Sequence, residues 1–157
     1  MGEQKVEQTW VLPSYEKLAA ITRGHVAALE RSKSDKTWTA YGLPHLVLTT
    51  IGRRSGTPHK VALSPWFDPD GRPIIAATSA GHTQHPAWFL NLRDRSEPEV
   101  HCLTQDGAYW AETEILEGEE YDRIWSLIVE DRDFFADYRT MSGRVIPLVR
   151  LIATRPA

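Results

Sequence analysis

The sequence is poor in cysteine, in long apolar runs and in net charge. One cysteine, Cys102, among 157 residues excludes an intramolecular disulfide framework and a multi-cysteine zinc site, and it fits a reducing cytosol. No apolar run approaches the roughly 20 residues of a membrane span, and the opening MGEQKVEQTW lacks the apolar stretch of a signal peptide. The 18 Lys+Arg and 21 Asp+Glu leave a net charge of −3, which argues against a general nucleic-acid binder. Neither the Walker nor the dinucleotide fingerprint occurs, and Ser55 and Ser64 stand in no G-x-S-x-G setting. Internal repeats and low-complexity tracts are absent too.

What is present is ordinary globular usage, 41% hydrophobic and 25% charged, in about one domain's length. The acids are distributed unevenly. From Thr37 to Arg93 the only ones are Asp68 and Asp70, whereas Asp94 to Asp137 holds fourteen of the 21. That leaves the middle of the chain able to receive an anion, although pairing of bases with acids across the folded domain would explain the asymmetry as well.

Residues 1–13 are polar and end at Pro13, and read as a mobile arm or an added edge segment ahead of a single domain over 14–157. Ser14 is placed to cap a helix from Tyr15 to Arg31, with Leu18, Ile21, His25, Ala28 and Leu29 as its apolar stripe. SKSDKTWTAYGLP then reads as loop. His45–Ile51, a strand up to Phe67, and PIIAATS after the DPDGRP turn predict a three-strand meander. HPAWFLNL predicts a short helix with proline in its first turn, and Val100–Thr104 with Ala108–Leu116 a hairpin. Helices follow over Glu119–Glu130 and DFFADYRTM, and Val145–Ile152 closes the chain as a strand whose Pro147 suggests an edge or a bulge. Neighbouring hairpins with few helices between them predict an α+β fold, mainly an antiparallel barrel of about six strands with flanking helices.

Two segments carry chemistry. In Gly52-Arg53-Arg54-Ser55-Gly56, two fork-shaped guanidiniums stand beside backbone N–H groups, which is a reasonable anion cradle and equally the pattern of a solvated basic turn. In Ala76–Gly81 and His85–Phe89, small residues let a flat ligand approach the backbone, while Trp88 offers a ring face or plugs the barrel end. The His82/His85 pair lacks further metal ligands. Cys102 lies mid-strand without a thiolate-stabilising context, and Phe134, Phe135 and Tyr138 have the spacing of a core-facing helix side.

Taken together, LVLTTIGRRSGTP, AATSAG, HPAWFLNL and DYRTMSGRVIPLV resemble the deazaflavin-dependent nitroreductase family, whose members use coenzyme F420, over Pro44 to Val149 and in that family's order and spacing. The resemblance implies a split β-barrel and hydride transfer from the reduced coenzyme to an electron-poor acceptor such as an enone, a quinone or a nitroaromatic. It implies that Arg53, Arg54 and Ser55 hold the coenzyme's anionic tail, with His59, Lys60 and Val61 along its phosphate and ribityl region. Ala77, Thr78 and Ser79 would meet the hydrogen-bonding rim of the ring, and Ala87, Trp88 and Phe89 would wall it. Phe135, Tyr138 and Ser64 would face the acceptor, with Tyr138 as the proton donor or carbonyl polariser and Ser64 or solvent as the alternatives. The chain departs from the family at His59, where arginine is common, at Ser79, where lysine is common, and at Ser64, where a tyrosine can occur. A barrel holding flavin mononucleotide and a non-catalytic carrier of the coenzyme or a lipophile are the rival readings. Homodimerisation and peripheral membrane contact both occur among such proteins, and the N-terminal arm and helix can serve either or simply cap the barrel.

Overall fold

The computed structural model describes residues 4–8, 14–94 and 98–157, and every statement below concerns these. Seven strands form one sheet in the order β2-β1-β5-β6-β7-β4-β3, each neighbouring pair antiparallel. They are β1 Leu46–Ile51, β2 Pro58–Leu63, β3 Trp66–Phe67, β4 Pro73–Ala76, β5 Val100–Thr104, β6 Gly107–Ile115 and β7 Leu148–Pro156. The helices are α1 Tyr15–Arg31, α2 Asp35–Trp38, α3 Ala87–Asp94, α4 Gly118–Asp131 and α5 Phe134–Ser142.

One connection forces the sheet to curl. β2 and β3 lie on opposite edges, yet only Ser64 and Pro65 join them. Six interstrand spacings would set the edges of a flat sheet about 29 Å apart, while the three peptide steps from Leu63 to Trp66 reach about 11 Å. The edges must therefore meet, and this curled half-barrel is the split-barrel architecture. Arg132, at the end of α4, pins the junction by donating to Ser64 O and Pro65 O, both at 2.9 Å.

Inside the curl, alternate residues of each strand face inward. Leu46 and Leu48, Val100 and Cys102, and Val149 and Leu151 meet Trp88 and Phe89 of α3 there. On the outer face of β1, Val47 packs against Val26 and Leu29 of α1 and Trp38 of α2. Helices α4 and α5 cover β4 and the start of β7 through Ile124, Ile128, Phe134 and Phe135. The Asp68 turn forms as its residues predict: Asp68 Oδ1 accepts from the backbone of Asp70 and Arg72, and Gly71 takes a φ of 80°. Its other oxygen pairs with buried Arg150 at 2.8 Å.

Several expectations are corrected. The stretch after α1 is not all loop, because Ser34 caps a turn of helix over Asp35–Trp38 by accepting from Thr37 N. The predicted meander does not form: Pro65, which cannot donate to a ladder, lies in the link after β2, β3 pairs with β4 alone, and β4 pairs with β7 instead of β2. The true meander is β5-β6-β7. Strand β7 is interior, starts after Pro147 rather than containing it, and the irregularity lies in β6 between Trp110 and Ala111. In α1, Ile21 is 48% exposed, and the firmly buried positions are Val26 and Leu29. Within the N-terminal segment, the Gln4 side chain bonds both backbone groups of Phe67, and Val6 N donates to Asp131 O, so residues 4–8 lie against the β3 edge. Residues 1–3 and 9–13 lie outside the described residues.

Candidate functional site

A cleft of about 970 Å³ runs along β2, from the β1–β2 turn to the α5 end of the sheet. Its floor is β1 and β2, α1 roofs one side, and the loop leading into α3 walls the other. The β1–β2 ladder places Ile51 opposite Pro58 at the turn and Leu46 opposite Leu63 at the far end, about 17 Å away along the strand.

At the turn end, Gly52 makes the geometry possible. A Cβ there would fall 2.8 Å from His59 Nε2 and closer still to Ser55 Oγ, so only glycine lets the two side chains fold over it. Ser55 Oγ lies 3.2 Å from His59 Nε2 and 2.9 Å from Thr57 Oγ1, and accepts from Thr57 N. Arg53 is anchored from α3. Asn91 Oδ1 accepts from Arg53 N at 3.1 Å and from Arg53 Nη1 at 3.2 Å, while Asn91 Nδ2 donates to Thr50 Oγ1 at 3.1 Å. Asn91 is 5% exposed, so this amide is a rigid support.

The lining has a marked charge bias. Arg23, Arg53, Arg54 and Lys60 contribute to it, and among the described residues no aspartate or glutamate does. Lys60 is already paired with Glu30 of α1, both half-exposed, so its charge is partly committed. Asp68 faces Arg150 on another side of the sheet, and the acid-poor middle of the sequence is thus the middle of the cleft.

Of the residues singled out from the sequence, Arg53, Arg54, Ser55, His59, Lys60, Val61, Thr78, Ser79, Ala87 and Trp88 come together around the cleft, with Ser64 and Tyr138 at its far end. Ala77, Phe89 and Phe135 do not line it. Ala77 and Phe89 are buried in the barrel core, and Ala77 N donates to Pro147 O at 2.9 Å. Phe135 packs among Phe134, Tyr138 and the α4 side chains, with Arg132 Cζ 5.9 Å above its ring. Trp88, at 6% exposure, belongs to the core and also contributes to the lining of the cleft. Cys102 is fully buried, and burial pushes its thiol up to about 12, so it is no nucleophile.

Sequence reasoning missed Asn91, Arg23, His25 and His45. Asn91 had a signal, since it sits four residues after Ala87 and three after Trp88, on the same helix face. His25 and His45 had none, because only the fold brings α1 over the start of β1. Their rings meet edge to face at 4.5 Å in the cleft wall, and His45 Nδ1 lies 3.4 Å from Trp38 O. Burial, reinforced by His25, holds the His45 imidazole neutral, at about 4. Burial lowers His25 as well, and its Nε2 is buried without a partner.

The donor set fits an elongated, anionic, ring-bearing ligand: guanidiniums, a hydroxyl and an imidazole at one end, a tryptophan wall beyond them, and a tyrosine and a serine at the other end. Comparison with known proteins bears on its identity. The family profile of F420H2-dependent quinone reductases matches residues 21–152. The solved structure of an F420-H2 dependent reductase, FDR-A, is 30% identical, with 69% of this chain and 93% of that one covered at a TM-score of 0.58. A structure described as a domain-swapped dimer is 26% identical over 88% of this chain and 99% of its own, at 0.60. HutZ, a heme storage protein from Vibrio cholerae, shares the fold at 15% identity, covering 71% of this chain and 82% of its own, at 0.51.

Proposed function

Since the chain belongs to the F420H2-dependent quinone reductase family and is an oxidoreductase using reduced coenzyme F420, we propose that it reduces small electron-poor acceptors, quinones foremost and enones and nitroaromatics besides, at the Ser64–Tyr138 end of the cleft. The observation that carries this reading is a lining in which Arg53 and Arg54 stand at the turn end and Ser64 and Tyr138 at the other, and to which no aspartate or glutamate among the described residues contributes. Reduced coenzyme F420 supplies a hydride when bound.

The chain's own residues have three tasks. Arg53, held by Asn91, and Arg54 give charge-assisted hydrogen bonds to a polyanionic tail, with Ser55 and His59 beside them. Lys60 contributes less, since Glu30 already holds it. Thr78, Ser79, Ala87 and Trp88 wall the ring region and exclude water from one face. At the far end Tyr138, 5% exposed and stacked on Phe135 at 6.0 Å, supplies a proton or polarises the acceptor's oxygen, with Ser64 as the second hydroxyl. The protein's part is to hold the acceptor within near-attack reach, on the order of 3 to 3.5 Å.

The similarity to a domain-swapped dimer supports a homodimer as the assembly. No described helix is long and apolar enough to cross a membrane, and the exposed Ile21 and Tyr41 at the cleft mouth suit a lipophilic acceptor.

The test is a titration of coenzyme F420 and of flavin mononucleotide followed by tryptophan fluorescence, then an assay of the reduced complex against quinones, enones and nitro compounds. Tight F420 binding with quinone turnover is expected. Preference for flavin mononucleotide, or tight F420 binding without turnover on any acceptor, overturns the reading.

A further inference from the structure

Behind the cleft wall, in the link from α5 to β7, Arg144 commits all three of its donor directions to one loop. Its Nη2 donates to Thr78 O at 2.9 Å, its Nε to His82 O at 3.1 Å, and its Nη1 to His85 Nδ1 at 3.0 Å. A guanidinium only donates, so His85 accepts at Nδ1 and carries its proton on Nε2. Among the described residues no carboxylate stands within ion-pair distance of Arg144. Its hydrogen bonds therefore go to neutral groups, and its role is geometric.

The loop it grips needs holding. Ser79 and Ala80 carry φ values of 46° and 51°, the left-handed region that residues with a Cβ enter only when their surroundings over-determine it. Gly81 follows at 82°, packed so closely on α5 that a Cβ would lie 3.2 Å from Met141 Cε. Thr78, Ser79 and Ala80 on one side of the grip, and Pro86, Ala87 and Trp88 on the other, all line the cleft, whereas Arg144 itself does not. Arg144 also stands just past Gly143, the C-cap of α5, whose Tyr138 lines the far end. One side chain thus ties the ring wall to the helix that bears the acceptor-side tyrosine.

We propose that Arg144 is the positioning residue of the cofactor wall, its three-way grip holding the Thr78–His85 loop in the left-handed turn that presents Thr78–Ala80 and Trp88 to the cleft. The proposal rests on the reading of that wall as the ring site of coenzyme F420. Arg144→Met and Arg144→Ala should raise hydrogen exchange of the 79–82 amides in the cofactor-free protein by about tenfold. They should also weaken F420 binding by about tenfold, the size of one lost charge-assisted hydrogen bond. Arg144→Lys, a single point charge that cannot fork to three acceptors, should fall between them and the wild type. Guanidinium ion at non-denaturing concentration, with sodium as the control, should restore binding to Arg144→Ala, which general loss of stability would not allow. Wild-type exchange and affinity in Arg144→Met, or affinity lost with loop exchange unchanged, overturns the proposal. Should the Met and Ala variants fail to fold, Arg144→Lys decides, and wild-type behaviour in it overturns the proposal. If the wild type binds no F420, the functional reading fails while loop exchange still judges the grip.

Discussion

Asn91 Oδ1 accepts two hydrogen bonds from Arg53, one from its backbone N at 3.1 Å and one from its guanidinium Nη1 at 3.2 Å. A single buried amide on α3 thereby sets both the path of the β1–β2 turn and the direction of one of its cations. Because the supporting group is neutral, Arg53 keeps its charge for a ligand.

Replacing that amide by a carboxylate separates support from charge. Asn91→Asp retains an acceptor for Arg53 but neutralises it, so the variant should unfold at a denaturant concentration near the wild type's and bind F420 about tenfold more weakly. Asn91→Leu should lose both affinity and about 1 to 2 kcal/mol of stability, because the polar groups around Thr50 go unpaired. Parallel urea titrations and fluorescence binding curves check the pair, and undiminished affinity in Asn91→Asp would remove the anion-cradle assignment.

The two arginines of the turn should each contribute measurably. Arg53→Ala or Arg54→Ala is expected to weaken coenzyme binding by about 1.5 to 3 kcal/mol, the range for a lost charge-assisted hydrogen bond. The salt dependence of binding should flatten in both variants, since a screened contact has been removed. Binding isotherms at two salt concentrations suffice.

Gly52→Ala tests the packing of the turn. No positive φ is required at this position, so the cost is steric: the new methyl collides with Ser55 Oγ and His59 Nε2. The fold should survive with a modest drop in melting temperature, while F420 affinity falls by about tenfold. Circular dichroism melts beside the same titration would reveal a turn that tolerates the methyl.

The buried histidines set a pH dependence. His45 is held at about 4 in the folded protein, chiefly by burial, with His25 and Arg132 adding to the effect, against an unfolded value near 6.5. Between those two values the unfolded chain binds more protons, so stability is full above about pH 6.5 and falls by about 3 kcal/mol as the pH drops toward 4. His45→Leu should flatten most of that slope, His25 supplying the remainder. Unfolding free energies measured from pH 4 to 8 decide it, and parallel profiles for the two proteins would contradict it.

Arg132 anchors the link between the two edges of the curled sheet to the end of α4 through Ser64 O and Pro65 O. Burial pulls its guanidinium down to about 10. Arg132→Met should therefore cost about 2 to 4 kcal/mol in urea unfolding, because two carbonyls lose their donor. It should also loosen the Ser64 end of the cleft, raising KM for the acceptor more than it changes F420 affinity.

Features encoded by close neighbours in the chain were readable from the sequence. Ser14 and α1, the Asp68–Gly71 turn, the β5–β6 hairpin, α3 behind Pro86 and the Arg53–Arg54 turn all formed close to their predicted bounds. The charge reading was legible as well: the acid-poor middle became a cleft without a described carboxylate. Less legible was the fate of alternating residues. Ala77, Phe89 and Phe135 carry the right types for a ligand wall, but strand alternation and helix phase turn them into the core.

The sequence by itself determined the local elements and the basic turn, because caps, turns and charge patterns act over a few residues. Only the tertiary structure decided the strand order, in which two residues carry the chain from one edge of the sheet to the other. It also decided that Glu30 holds Lys60, that His25 and His45 meet in the cleft wall, and that Arg144 grips the Thr78–His85 loop. Those pairings join residues 20 to 66 positions apart, and only burial of the shared core makes such distant contacts worth their entropy.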